Sequence, residues 1–180
     1  MVTLDHSEIH KWCIERGLAL YKDTFPYYKS SDSRVRMDFP VAHRIPMMAK
    51  FMCRVLRETF PSEMMLWIHS TGIGEEFLDA TGLRHINLLR LGLGETSDVL
   101  ERPGHLFART EEAECIGMAV LPFLYEWDAY LIPADGRYFA HISHHGNVEV
   151  GFPETSQTPA IMEDLSILEP QIITDRYGTI

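Results

Sequence analysis

The clearest periodicity in the chain runs over residues 46–60. Pro46 suits a first helical turn, and Met48, Phe51, Met52, Val55, Leu56 and Phe60 recur at i, i+3, i+4 and i+7. This pattern predicts an amphipathic helix. A second helix is predicted over 7–21, where Ile9, Trp12, Cys13 and Leu20 fall on one face and Asp5 stands three residues before Glu8, the spacing of a capping box. A third is expected to begin after Thr110. Glu111, Glu112 and Glu114 occupy its first turn, Cys115, Ile116, Met118, Ala119 and Val120 follow, and Pro122 should end or kink it. A short helix is expected over 75–80, whereas the leucine-rich stretch 85–93 fits strand and helix equally.

Period-two alternation predicts the strands. In Arg34-Val35-Arg36-Met37-Asp38-Phe39 the apolar side chains share one face and the charged ones the other, as in a half-buried strand. Met64-Met65-Leu66-Trp67-Ile68 is a short apolar run entering the turn-like Ser70-Thr71-Gly72-Ile73-Gly74, the signature of a buried strand. Residues 126–132 and 137–143 read as two strands joined at Asp135-Gly136. After a turn at His145-Gly146-Asn147, Val148, Val150 and Phe152 alternate with Asn147, Glu149 and Gly151 to give a third. The stretches 25–33 and 94–109 are expected to be loops, and 153–180, with Pro159 and Pro170, is a weakly patterned tail expected to wrap the domain or mediate assembly. Neither a repeat nor a linker interrupts the 180 residues, so one domain is expected. Its class is α+β: an antiparallel sheet with a C-terminal three-stranded meander, packed by two or three amphipathic helices.

A hydrophobic fraction of 46% is enough to bury one core, and a net charge of -10 argues against a surface built to neutralise nucleic-acid phosphates or anionic lipid. The charge is uneven: residues 1–60 carry ten Lys and Arg against seven Asp and Glu, and residues 61–180 carry six against nineteen. This asymmetry points either to a solvated acidic surface or to an acidic face that meets a basic partner. Cys13, Cys53 and Cys115 are odd in number and lack metal-pair or disulfide spacing, which fits reduced thiols in a cytosol. Met1 to His6 carries no basic segment followed by an apolar run, and the longest largely apolar stretch, 115–125, is far shorter than a membrane span. A cytoplasmic protein without a membrane partner is therefore expected.

Three histidines, His141, His144 and His145, crowd one strand-to-turn segment, and Asp128 lies on the preceding strand. Neutral imidazole and carboxylate together suit a divalent transition metal such as zinc, although His-x-x-His-His matches no established helical metal motif. Solvent-exposed histidines at a hairpin tip are the structural alternative. His6 and His10 share a helix face four residues apart but lack a third ligand. The 70–74 turn has no phosphate-loop motif and is followed by Glu75 and Glu76, which repel phosphate. Phe25-Pro26-Tyr27-Tyr28-Lys29 with Arg34 and Arg36 has the ingredients of a single-strand nucleic-acid binder, but it is short and belongs to an acidic chain. The cysteines, Ser143, and the methionines Met47, Met48, Met52, Met64 and Met65 read as packing residues rather than as nucleophiles or a binding groove.

Trp127-Asp128-Ala129-Tyr130 leading into the meander resembles, over about the last third of the chain, the helices-on-meander arrangement of small bacterial immunity proteins. The resemblance implies a protein-binding module and carries over no residue role. Two expectations follow. The first is a non-enzymatic protein-interaction module that needs no cofactor, binding another, basic protein or a second copy of itself through an acidic surface containing Asp128, Glu149 and Glu154. The second is a metal-dependent hydrolase that holds one divalent metal on His141, His144, His145 and Asp128 and uses metal-bound water as nucleophile.

Overall fold

The computed structural model describes residues 1–22, 25–28, 33–39, 48, 51, 61–69, 77–153 and 171–173. Local chemistry sets the first helix. After β1 (Val2–Leu4), the Asp5 carboxylate accepts the Ser7 and Glu8 amides at 2.9 Å, and Glu8 takes the Asp5 amide at 2.8 Å, so the expected capping box starts α1 (His6–Glu15). The helix stops six residues earlier than its apolar pattern suggests. Gly17 adopts φ +75° and its amide closes on the Ile14 carbonyl, leaving Leu18–Tyr21 to form β2. Phe25–Tyr28, expected as loop, is β3 and pairs with β2. Pro26 is tolerated there because this is a two-stranded ribbon whose edges do not need every amide.

The main sheet has eight strands among the described residues, all antiparallel. In spatial order they are β1, β6 (Gly104–Ala108), β5 (Glu63–Ile68), β7 (Ala129–Pro133), β8 (Phe139–Ser143), β9 (Asn147–Phe152), β4 (Ser33–Asp38) and β10 (Gln171–Ile173). The expected meander is present as β7, β8 and β9. Strand β6 lies inside a stretch expected as loop, and β10 lies inside the weakly patterned tail. Residues expected to split between a short helix and an ambiguous segment form the single helix α2 (Phe77–Gly92). After a 3-10 turn over Arg109–Glu111, α3 (Glu112–Leu124) runs through Pro122 rather than ending there. The Pro122 carbonyl is used, accepting the Trp127 amide at 2.8 Å. Of the helix predicted over 46–60, only Met48 and Phe51 are described, both helical and buried. The 70–74 turn, Lys29, Met47, Met52, Cys53 and Glu154 lie outside the described residues. Among those residues no helix is long and apolar enough to cross a membrane.

Alternation along the strands builds two cores. Met64, Leu66, Leu131, Ile142, Val148 and Val150 face α2 and α3 and pack with Ile86, Met118 and Phe123, while Met65, Trp67, Tyr130, Ile132 and Phe139 face α1 and the β2–β3 hairpin. Gly82 lets α2 approach Trp127, whose ring atom Cζ2 would lie 2.5 Å from an added Cβ. One buried polar pin joins α2 to the sheet. The Arg90 guanidinium donates to the Arg102 and Ser97 carbonyls and to Nε2 of His105, whose Nδ1–H donates to the Leu66 carbonyl at 3.3 Å. Burial and the Arg90 charge push His105 down to about 3, which keeps it neutral and able to accept from Arg90.

Gly151 offers a direct test of packing on the second face. It sits opposite Phe139, and a Cβ there would lie 2.3 Å from the Phe139 Cε1 atom. Gly151→Ala should therefore lower stability in urea titration by about 1–3 kcal/mol, the usual cost of overpacking.

Candidate functional site

Antiparallel register aligns polar side chains in rows on the face that α1 and the hairpin cover only in part. Tyr130 pairs with His141, His141 with Glu149, and Glu149 with Arg36, giving one row across β7, β8, β9 and β4. On one side of it lies Phe139–Gly151–Arg34, with the Arg34 guanidinium 5.3 Å from the Phe139 ring centroid. On the other lies Ser143–Asn147–Asp38. The charged side of β4, read from sequence as a solvated strand face, thus becomes a wall. Arg34, Arg36, Tyr130, His141, Asn147 and Glu149 from these rows, with Phe25 and Pro26 from the hairpin, line an open cleft of about 520 Å³.

Asp128, which precedes β7, organises one end of the cleft. Its carboxylate is buried and accepts from His141 Nε2 at 3.0 Å through one oxygen and from His144 Nδ1 at 2.9 Å through the other, with the His144 amide adding a contact at 3.2 Å. The turn makes this convergence possible. Gly146 takes φ +77° and closes its amide on the Ser143 carbonyl, so His144 and His145 stand at the tip with their ring centroids 3.8 Å apart. Burial pushes the Asp128 carboxyl up, but the hydrogen bond and charge of His141, with the side-chain and backbone hydrogen bonds of His144, outweigh it and hold the group down to about 2. His141 also stacks on Tyr130 at 4.7 Å, which fixes the plane of its ring.

Because Nδ1 of His144 faces a carboxylate, it carries the proton, and Nε2 is left as the basic nitrogen. The ring is 44% exposed and Nε2 has no protein partner among the described residues. A buried carboxylate that fixes one histidine tautomer and leaves the other nitrogen open is the positioning arrangement of general-base hydrolases. Behind Asp128, the His69 amide donates to its carbonyl at 2.8 Å. Burial lowers the affinity of the His69 ring for a proton, against the opposing pull of Asp128.

All four residues of the anticipated metal set, His141, His144, His145 and Asp128, come to one end of the cleft, but both Asp128 oxygens are engaged by imidazoles. Among the described residues no group of three or more His, Cys, Asp or Glu side chains is disposed to hold a metal ion. Of the anticipated acidic docking residues, Asp128 and Glu149 are only 5% and 6% exposed. Glu149 lies 3.7 Å from Arg34 and 4.0 Å from Arg36. These two carboxylates are thus buried and compensated by cations or imidazoles, unlike the surface groups expected from sequence. Cys13 and Cys115 are buried, and burial pushes both thiols up, Cys13 to about 12, which suits packing rather than nucleophilic chemistry.

Sequence reasoning missed Tyr130, Asn147 and the two arginines as partners of the histidine segment, because cross-strand neighbours have no signature along the chain. Asn147 is 3% exposed and its Oδ1 has no hydrogen-bond partner, leaving a buried acceptor beside the cleft. Comparisons with protein-family models, with curated proteins and with solved structures returned no match.

The Asp128 contacts make a signed prediction. Its folded-state value lies below the ordinary 3.8, so its stabilisation is complete above that value and is lost as pH falls toward about 2. Asp128→Asn should cost about 1–3 kcal/mol near neutral pH, and stability should then vary less over that acid window, as read by urea titrations at stepped pH.

Proposed function

We propose that the cleft is a hydrolytic active site in which His144, positioned by Asp128, acts as general base on water. The observation that carries this reading is the Asp128–His144 contact, which leaves an exposed imidazole nitrogen beside a cleft rich in polar groups. His144 Nε2 takes a proton from water as the water oxygen adds to an electrophilic carbon or phosphorus. The same proton then passes to the departing oxygen or nitrogen, so the reaction consumes one water and regenerates the imidazole. Arg34, Arg36 and Asn147 supply fixed dipoles and charge to hold a polar substrate.

The test is a panel of p-nitrophenyl acetate, p-nitrophenyl phosphate, bis(p-nitrophenyl) phosphate and leucine p-nitroanilide. At least one should turn over, and His144→Ala should lower kcat by about 100-fold or more with an unchanged circular dichroism spectrum. Absence of any His144-dependent turnover overturns the reading. Activity that appears only on adding zinc, and that His145→Ala abolishes, assigns the cluster a metal instead.

A second reading, a protein-interaction module, draws on a different surface. Leu88 and Leu91 of α2 are 55% and 58% exposed, with Leu89, Leu93 and Leu100 also open to solvent. Such a concentration of exposed leucines favours protein contact over solvation. On this reading the chain self-associates through the outer face of α2. Sedimentation velocity should give a dimer that Leu88→Glu with Leu91→Glu converts to monomer, and a monomeric parent protein overturns it.

A further inference from the structure

Two cavities open on this face of the sheet, and they differ in the charge they offer a ligand. The smaller, of about 380 Å³, lies beside α1, where Ile9, Leu20 and Trp67 are joined by His6 and His10. Among the described residues no third ligand joins that histidine pair to hold a metal. The larger is the cleft already described, and its two arginines are held in different ways. Arg34 is committed to the protein: it is buried, stands 3.7 Å from the Glu149 carboxylate and lies over the Phe139 ring. Arg36, two residues along β4 and so on the same face, is held by one edge only.

The Arg36 Nε–H donates to Asp38 at 2.8 Å, while Nη1 is 4.0 Å from Glu149, too far for a hydrogen bond. Both terminal nitrogens thus carry N–H groups that no described residue accepts, and they are open to solvent in a side chain 24% exposed. A guanidinium fixed at Nε with its outer edge open is a ready receptor for a carboxylate, which it takes through two parallel hydrogen bonds. Register sets what else the ligand must have. Arg36 pairs with Glu149 and Glu149 with His141, so only β9 separates the Arg36 backbone from that of the Asp128-bound histidine, about 10 Å in all. The hairpin strand β3 packs against β9, and its Phe25 and Pro26 give the cleft apolar lining. Charge decides the kind of anion. Arg34 and Arg36 stand beside Glu149 and Asp38, so a planar monoanion is matched by the one open guanidinium edge, whereas the second charge of a phosphate dianion would face those carboxylates.

We infer that the substrate of this cleft is an ester or amide whose acyl chain ends in a carboxylate, and that Arg36 selects it by gripping that carboxylate. The inference rests on the hydrolytic reading for its reaction and on Arg36 for its specificity. Water adds to the acyl carbon, the bond from that carbon to the departing oxygen or nitrogen breaks, and the proton taken by His144 passes to the leaving group. A dicarboxylic acid and an alcohol or amine are released.

The test compares, on the whole protein, mono-p-nitrophenyl adipate and mono-p-nitrophenyl suberate with the same esters capped by a methyl group at the free acid. For at least one chain length kcat/KM should favour the free acid by about tenfold or more. Arg36→Gln should bring that ratio to about one, and Arg36→Lys, which keeps the charge but loses the fork, should restore only part of it. The ratio in the unaltered protein tests the inference without any variant having to fold. Binding is read separately by saturation-transfer NMR on His144→Ala protein. Adipate should bind and dimethyl adipate should not, and adding Arg36→Gln should remove the adipate signal with the circular dichroism spectrum unchanged. His144-dependent turnover at equal rates for acid and methyl ester, or a preference that survives Arg36→Gln, overturns the inference and leaves the hydrolytic reading standing. Arg36-dependent adipate binding without turnover of any ester overturns the hydrolytic reading and keeps the carboxylate site. Neither binding nor turnover overturns both.

Discussion

Strand register is the constraint on which both cores and the cleft depend. Side chains alternate with period two, so the pairing of β8 with β9 and of β9 with β4 decides at once what is buried and what lines the open face. In the observed register Val148, Val150, Ile142, Val35 and Met37 enter the core under the helices, and His141, Glu149 and Arg36 form a row on the other side. A one-residue slip of β9 would drive Glu149 and Asn147 into that apolar core. The energetic penalty for burying an unpaired carboxylate makes the alternative inaccessible, so the same apolar residues that stabilise the fold also specify the polar surface.

Polar groups on this face are tolerated because most are compensated locally. Asp128 is surrounded by two imidazoles and an amide, and Glu149 lies between two guanidiniums. The Arg90–His105 pin on the far side of the sheet follows the same rule, with a neutral imidazole accepting from a cation and donating to a carbonyl. The exceptions are informative. Asn147 Oδ1 and Trp67 Nε1 are buried without partners among the described residues, as are the Nε atoms of Arg16 and Arg90, so compensation on both faces of the sheet is incomplete.

How much of this was legible from the chain depended on whether the signal was local. The meander could be read because Val148, Val150 and Phe152 alternate strictly and because Asp135-Gly136 and the turn at Gly146 sit at hairpin positions, where both glycines adopt positive φ. The α1 cap was equally local. Strand β2 was lost because Leu18 to Tyr21 continues the apolar spacing of α1, and only the backbone freedom of Gly17 marks the break. Strands β1 and β6 are short, and β6 carries His105 in the core, where its tolerance depends on Arg90, fifteen positions away. At the site, residue density drew attention to Asp128 and the three histidines, which the fold brings to one cleft. Their environment was misread, because the partners that bury Asp128 and Glu149 arrive from other strands.

The two cavities share a divider, and it is built from packed rings. In the β2–β3 hairpin Leu20 pairs with Pro26, placing one on the lining of each cavity. Beneath it, Phe25 stacks on His69 with centroids 5.9 Å apart, and His69 in turn lies against Trp67 and Tyr130. Burial favours the neutral His69 ring against the pull of the Asp128 charge, and the neighbouring His141 and His6 add to the effect of burial. Any displacement of the hairpin large enough to widen either cavity must separate Phe25 from His69, and through the shared ring contacts it reaches both Trp67 and Tyr130. The hairpin is therefore a boundary held by aromatic packing, and the shape of each cavity depends on the same contacts.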